Sequence, residues 1–475
     1  MSLGRFRQAV SSATGYPVAA PPPPARPPAA GPAAWAALAL LVLAQISSFL
    51  DRAVVFALAV PLKRDFALSD TQLSLLMGAA FSTTYVLFGL LLGRLVDRGT
   101  RRTIAAAGIA GWSFATVAAG LADGYGELLL ARAAVGIGEA TLAPAAYSMI
   151  ADLFPPRQVA GASGLFAAGS TVGSGLATLV GGTLAAAAGS GTIALPAGRT
   201  IFAWQTVFLW IGLPGLLLAG LMLAVREPGR HGAGAAERAP ALGETVAYLL
   251  GNARALGALF AGAAALGAAV YSVQAWAVTL FVRVHGLSLA AAGTLQGLAM
   301  LVSGTAGMIA GGRVADRWGG RGRRAARFRV PAAAAASALP LLAGFTLVPG
   351  PGAALALFLP LVFFLTAPWG ALAAAVADLA PNRLRGQVVG VYLLLQNLVG
   401  LGLGPTAVAL VTDRVLRDEA ALPVALLAVS GSSLVAAFLV LTWGMGGYAA
   451  TAERARGWRV SRGGTSTKAG AAAPD

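Results

Sequence analysis

Long apolar stretches, nearly free of charge, alternate with short polar segments along this chain. They cover residues 33–61, 72–96, 103–122, 128–151, 159–188, 202–225, 254–282, 289–312, 330–348, 353–377, 386–411 and 421–446. Crossing a hydrocarbon core takes about 20 apolar residues in helical form, so each stretch reads as one membrane-spanning helix, tilted where it is longer. Twelve spans predict an all-α membrane protein. Prolines inside spans mark expected bends, at Pro144, Pro214 and Pro368. Small-residue spacings such as Gly169/Gly173 and Gly400/Gly404 allow close helix crossings.

Composition agrees with the pattern. Apolar residues make up 57% of the chain and charged residues only 11%, against roughly 25% charged in a soluble domain. There are no cysteines, hence no disulfide framework, thiolate metal site or cysteine nucleophile. The two histidines, His231 and His285, fall in polar loop stretches, so no histidine proton relay is expected inside the membrane. The net charge of +16 could suggest nucleic acid, but no basic stripe is interleaved with aromatics, and no nucleic-acid partner is expected.

The basic residues instead report topology. With the N-terminus in the cytoplasm, 26 of the 34 Lys and Arg side chains fall in cytoplasmic segments and 6 in outer loops. The positive-inside rule therefore places both termini in the cytoplasm. The organisation that follows is a disordered cytoplasmic N-tail over 1–32, with the proline run 21–24, and a six-helix half over 33–225. A polar cytoplasmic linker over 226–253, a second half over 254–446 and a cytoplasmic C-tail over 447–475 complete it. The Ala-, Gly- and Arg-rich composition points to a GC-rich bacterial genome, and so to a multi-pass protein of a bacterial inner membrane.

The halves repeat. Gly93-Arg94-Leu95-Val96-Asp97-Arg98 ends the second span, and Gly312-Arg313-Val314-Ala315-Asp316-Arg317 ends the eighth. Asp152-Leu153-Phe154-Pro155-Pro156-Arg157 follows the fourth span, and Asp378-Leu379-Ala380-Pro381-Asn382-Arg383 follows the tenth. Two echoes at nearly one offset argue for duplication of a six-helix unit. An even number of spans makes the copies parallel, related by an axis along the membrane normal.

Gly93–Arg102 resembles motif A of the major facilitator superfamily, with Thr100 where that family usually has Gly. Arg132 in its Leu-Ala-Arg-Ala-Ala-Val-Gly setting resembles motif B. Gly169 and Gly173 with Gly181-Gly182 form a degenerate motif C, Ser174 replacing the usual Pro. The resemblance covers about residues 33–446. It implies two pseudo-symmetric six-helix halves around a central cavity, working by alternating access. A narrower resemblance is to the spinster-like branch, whose characterised members carry lysophospholipids and sphingoid lipids. It rests on Phe49-Leu50-Asp51-Arg52, Leu68-Ser69-Asp70-Thr71-Gln72-Leu73, Arg132 with Gly136-Ile137-Gly138-Glu139-Ala140, and Asp152-Leu153-Phe154-Pro155. In that branch the matching span-one Asp and span-four Glu are implicated in coupling, which the resemblance carries to Asp51 and Glu139.

Four charged residues lie well inside spans: Asp51, Arg52, Arg132 and Glu139. A charge at the bilayer centre costs at least ~2.5–3.5 kcal/mol, so these face the interior and pair. Their charges sum to zero. Asp51 precedes Lys63 by twelve residues and Glu139 follows Glu127 by twelve, which puts both about 18 Å from the outer end. Arg132 and Glu139, seven apart, share a helix face. Asp51 and Arg52 point about 100° apart, which suggests Asp51 towards Arg132 or Glu139 and Arg52 on the other contact; the pairing itself stays open. Burial opposes ionisation of a carboxylate and a nearby Arg promotes it, so Asp51, with Glu139 second, is the expected proton carrier. Protonation would free an Arg to hold a head group. A structural ion-pair cluster is the plainer alternative.

Near the cytoplasmic helix ends, Asp97 and Arg98, with Gly93, read as a latch between halves in the outward-facing state, and Asp316 and Arg317 as its copy. Arg101, Arg102, Arg321, Arg323 and Arg324 read as topology-setting charges. The C-terminal half has no charge at cavity depth. Its polar candidates are Tyr271, Ser272, Gln274 and Trp276, then Gln296, Thr366 and Trp369, then Tyr392, Gln396 and Asn397. A cavity charged on one side and apolar on the other suits an amphiphile; helix–helix contacts are the alternative for these side chains. No intramembrane His, no Cys and no hydrolase motif in a matching context leaves an enzyme unsupported, with no catalytic residues and no metal. The expectation is a monomeric proton-coupled transporter of an amphiphilic small molecule, needing no cofactor beyond the proton. A multidrug or small-metabolite proton antiporter of the same superfamily is the rival.

Overall fold

The computed structural model describes residues 30–189, 191–194, 200–229, 242–323, 325–381 and 383–457. It is a helical bundle with one small ribbon. The first half comprises α1 (Pro32–Ala57), α2 (residues 70–98), α3 (Arg101–Ala119), α4 (Tyr125–Leu153), α5 (Pro156–Ala188) and α6 (Gln205–Ala224). The second comprises α7 (Ala253–Arg283), α8 (Leu289–Gly320), α9 (Ala326–Leu347), α10 (Pro351–Leu379), α11 (Arg385–Leu416) and α12 (Leu422–Gly457). Among the described residues, eleven of these are long and apolar enough to cross a membrane; the twelfth, α3, is a 19-residue helix opening on Arg101-Arg102. The ribbon pairs β1 (Thr192–Ala194) with β2 (Thr200–Phe202) in the loop before α6, with Ile193 opposite Ile201.

Local chemistry sets the ends and bends. Pro32 begins α1 and Pro156 begins α5, where a missing N–H costs nothing. A capping box of Ser69 and Gln72 starts α2. In α4 the α-helix is interrupted at Ala140–Thr141, and Pro144 cannot donate to the Ala140 carbonyl. In α10 the interruption falls at Ala367, immediately before Pro368. Pro214, by contrast, sits within an uninterrupted α6. Wide π turns occupy Leu75–Ala79 in α2, Met300–Gly304 in α8 and Gln396–Leu403 in α11.

The tail and linker regions differ from a plain polar reading. Within the expected linker, residues 230–241 lie outside the described residues, as do His231, Arg324, residues 1–29 and 458–475. Leu242–Gly251 is a helix. It docks on the second half through the Tyr248 hydroxyl, which donates to the Leu379 carbonyl at 2.7 Å, and through Thr245, bonded to Gln387. The last helix runs on to Gly457, past the expected boundary at 446. Its extra turns are held because the Tyr448 hydroxyl donates to Asp378 (2.8 Å) and Arg454 donates to the Asn252 side chain (2.8 Å).

The repeat is visible in packing. Helices α1 and α5, α3 and α6, and α2 and α4 pack together in the first half, as do α7 and α11, α9 and α12, and α8 and α10 in the second. At one end of each half, Arg101 pairs with Asp152 and Arg327 pairs with Asp378 (2.6 Å). The two halves meet along α5 with α8 and α2 with α11. Glycines permit the approach. A methyl on Gly293 would lie 2.6 Å from the Thr178 carbonyl, and one on Gly297 would lie 2.7 Å from the Gly175 carbonyl.

Polar contacts between the halves gather at one end of the bundle. Arg283 donates to Asp70 at 3.0 and 3.1 Å. Lys63 pairs with Asp70 and reaches Glu419 at 2.7 Å. The Thr71 N–H and hydroxyl both donate to Asp413, at 2.7 and 2.6 Å. Asp70 is fully buried, while Glu419 is open to solvent, so this end is closed by ion pairs gathered on one buried carboxylate.

Candidate functional site

The four intramembrane charges converge where α1, α3 and α4 pack, and all are buried: Asp51 is 1% exposed, Arg52 6%, Arg132 1% and Glu139 2%. Burial of this degree requires a partner for each charge. Arg52 donates to Glu139 at 2.7 Å, and the Ser48 hydroxyl, one helical turn earlier, donates to the same oxygen at 2.7 Å. The Arg52 guanidinium also lies over three rings, with centroids at 4.5 Å for Phe49, 4.3 Å for Phe81 and 5.3 Å for Tyr85. Desolvated cation–π contacts of this kind are worth about 2 kcal/mol. Tyr271 of α7 is within electrostatic reach of Arg52 from the other half.

Among the described residues, Arg132 makes no ion pair of hydrogen-bonding length. Its guanidinium donates to main-chain carbonyls: Asp51 at 3.1 Å, Arg52 at 3.3 Å and Leu76 at 3.3 Å. Leu76 lies in the wide turn of α2, where the regular ladder is loosened and a carbonyl can take an outside donor. Arg132 thus ties α1, α2 and α4 together under the Arg52–Glu139 pair. Asp51 turns to α3, where the Thr116 hydroxyl oxygen lies 2.7 Å from each carboxylate oxygen.

This geometry corrects the expected pairing. Asp51 faces neither Arg132 nor Glu139 directly; the 100° between neighbours in α1 sends it to α3 and leaves Arg52 for α4. The shared face of Arg132 and Glu139 is as expected, both reaching α1. Thr116 and Ser48 carry no sequence signal, because a lone hydroxyl in an apolar helix ordinarily bonds its own carbonyls.

The second-half candidates separate. Trp276 is fully buried and donates to the Pro405 carbonyl at 3.1 Å, and so is a contact between α7 and α11 rather than a cavity wall. Gln296 donates to the Gln274 carbonyl at 2.7 Å inside the half. The Gln274 amide points at the Met300 sulfur, 3.6 Å away. Thr366 bonds the Gly304 carbonyl at 2.9 Å, and Asn397 donates to Leu393 of its own helix at 2.8 Å. Ser272 and Tyr392 are buried, while Tyr271, Gln396 and Trp369 are half-buried.

Gly93, Asp97, Arg98, Asp316 and Arg317 lie at the ends of α2 and α8, opposite the closed end, with the four charged side chains exposed. Arg101 departs from its reading as a topology charge. It is 1% exposed and donates to Glu227 (2.8 Å), Asp152, the Ser148 hydroxyl (3.0 Å) and the Pro228 carbonyl (2.6 Å). Glu227 also accepts from the Arg102 N–H at 2.9 Å. Burial pushes the Glu227 carboxyl up, but these donors outweigh it and hold the group below the usual carboxylate range. The start of the linker is therefore clamped to the first half.

Two parallel six-helix halves, closed at one end by ion pairs and joined over a buried charge cluster, form the architecture of a secondary transporter. Residues 41–405 match the Major Facilitator Superfamily, and the chain belongs to that family. It is a transporter, not an enzyme. A crystal structure of a bacterial homologue of the human lysosomal transporter Spinster, inward-facing and unoccupied, superposes with a TM-score of 0.71. It is 26% identical, over 91% of this chain and 99% of that one. The occupied inward-facing form of such a homologue also gives 0.71 at 26% identity, over 89% and 97%. An MFS-type efflux pump of Mycolicibacterium smegmatis (strain ATCC 700084 / mc(2)155) is 28% identical over 290 residues, spanning 60% of this chain and 63% of that protein.

Proposed function

We propose that this protein is a proton-coupled transporter that moves an amphiphilic small molecule, a lysophospholipid or sphingoid-like lipid, across a bacterial inner membrane by alternating access. The observation that carries the reading is the buried Arg52–Glu139 pair, with Asp51 beside it, facing a second half that brings no charge to this depth. Protonating Glu139 removes the charge that holds Arg52. The guanidinium, already stacked on Phe49 and Phe81 and within reach of Tyr271, then takes an anionic or zwitterionic head group. Deprotonation restores the pair and releases the ligand. Asp51 is the second proton site.

With both termini cytoplasmic, the closed end is the outer one and the arrangement is inward-facing. The motif A charges Asp97, Arg98, Asp316 and Arg317 would then form their latch in the outward-facing state, after Asp70, Arg283 and Glu419 part. The resemblance to the spinster-like branch, whose characterised members carry lysophospholipids and sphingoid lipids, favours a lipid-like ligand. The resemblance to an efflux pump favours the second reading, a multidrug or small-metabolite proton antiporter.

The test is reconstitution in liposomes with lumenal pH recorded while lysophospholipids, sphingoid bases and hydrophobic cations are added in turn. The expected result is that one lipid amphiphile class drives proton movement in the wild type and not in Asp51→Asn or Glu139→Gln. Proton movement driven by hydrophobic cations alone would transfer the substrate to the multidrug class. Equal behaviour of wild type and both variants would make the cluster structural.

A further inference from the structure

We infer that Thr116 is the positioning residue that lets Asp51 gain and lose its proton without any heavy atom moving. The inference rests on the coupling role proposed for Asp51.

The geometry gives Thr116 three oxygens to serve. Its hydroxyl oxygen lies 2.7 Å from both Asp51 carboxylate oxygens and 3.0 Å from the Trp112 carbonyl, one turn back in α3. A hydroxyl has one donor and two acceptor sites, and its hydrogen rotates freely. With Asp51 ionised, Thr116 donates to the carboxylate. With Asp51 protonated, the acid O–H donates to the Thr116 oxygen, and the Thr116 hydrogen turns to the Trp112 carbonyl. Both states keep a hydrogen bond between Asp51 and Thr116 with the same heavy-atom positions, and Thr116 is itself 1% exposed.

Glu139 is built for the opposite behaviour. Its accepting oxygen is shared by Arg52 and Ser48, and a proton there removes the reason for Arg52 to stay. One carboxylate therefore exchanges a proton silently while the other converts a proton into movement of a cation. The charged groups facing Asp51 are Arg132 and Glu139 on α4, with Arg52 next to it on α1, while Tyr85 on α2 and Tyr271 on α7 lie about Arg52 instead. None of these hydrogen-bonds its carboxylate among the described residues. Thr116 alone does so, and its removal leaves the other groups in place.

The experiment compares wild type, Thr116→Ser, Thr116→Val and Thr116→Ala, with Asp51→Asn as reference. Infrared difference spectra of the purified protein are titrated from acid to alkaline pH, and the carboxylic-acid carbonyl band absent from Asp51→Asn is followed. Proton movement driven by lysophosphatidylcholine in liposomes is recorded across the same pH range. Thr116→Ser should keep the wild-type band and midpoint. Thr116→Val and Thr116→Ala should shift the band, and should move both its midpoint and the transport pH profile by about one pH unit or more. The alanine variant carries the test should the valine variant fold poorly. A band, midpoint and profile unchanged in the folded Val or Ala variant would overturn the inference, while Asp51→Asn still abolishing coupling would leave the proposed function standing. Wild-type proton movement in Asp51→Asn would overturn both.

Discussion

The two halves of this transporter are copies in backbone and opposites in chemistry. Each half joins the start of its third helix to the end of its fourth by an Arg–Asp pair, Arg101 with Asp152 and Arg327 with Asp378. Each has a wide turn in the helix that follows its first span, at Leu75–Ala79 and Met300–Gly304. At mid-membrane the likeness stops. The first half buries Asp51, Arg52, Arg132 and Glu139, whereas in the second, Gln296 donates to the Gln274 carbonyl and Trp276 to the Pro405 carbonyl. Duplication preserved the parts that hold helices together and left the charge on one side. Under the proposed function, one half would handle the proton and the other would present an apolar wall.

The sharpest way to break that division is Glu139→Gln. It leaves Arg52 as a buried cation without its partner, which costs about 3–5 kcal/mol, read as a lower melting temperature in detergent together with loss of ligand-driven proton movement. The equivalent insult in the second half, Gln296→Leu, should leave proton movement intact. Arg101→Ala and Arg327→Ala compare the repeated pairs. Arg101 is buried and also grips Glu227 and Pro228, while the Arg327 side chain is 27% exposed. The first substitution should destabilise by about 3–5 kcal/mol and the second by about 1 kcal/mol or less in chemical unfolding. Equal losses would mean that the linker clamp adds nothing.

The gate between the halves comes next in size. Asp70→Asn removes the anion shared by Lys63 and Arg283. It should weaken the closed end by about 1–3 kcal/mol, shifting the open population roughly 5–150-fold. Spin labels at Arg64 and Val415 would report this as a longer distance distribution. The smallest effect belongs to Glu227. Its carboxyl is held below the usual range when folded, so its contribution is present at neutral pH and fades as pH falls through that lowered value. Glu227→Gln should flatten the acid side of the melting-temperature profile by about 1 kcal/mol or less, given the group's partial exposure.

Much of this was legible in the residues. A charge inside a span is costly enough that Asp51, Arg52, Arg132 and Glu139 stand out from an otherwise apolar pattern, and the Gly93 and Gly312 echoes expose the duplication. The pairing was not legible, because adjacent residues on α1 can serve α3 or α4 depending on a helix rotation that sequence leaves undetermined. Arg101 looked like any basic residue at a helix end; its burial depends on Glu227 and Pro228 folding back from the far end of α6. Trp276 stood among the polar candidates of the second half, and its N–H partner is the carbonyl of Pro405. The extension of α12 was hidden by Gly446 and Gly447, whose open sides are filled by Arg254.

In the proposed mechanism a proton on Glu139 sets Arg52 free to hold the ligand's head group. Binding of lysophosphatidylglycerol to the purified protein, measured from acid to alkaline pH for wild type and Glu139→Gln, tests it directly. Wild-type affinity should rise as pH falls, and the Glu139→Gln variant should stay near the acid-pH affinity at every pH. A Glu139→Gln variant that binds no better at alkaline pH and keeps the wild-type pH dependence would contradict it.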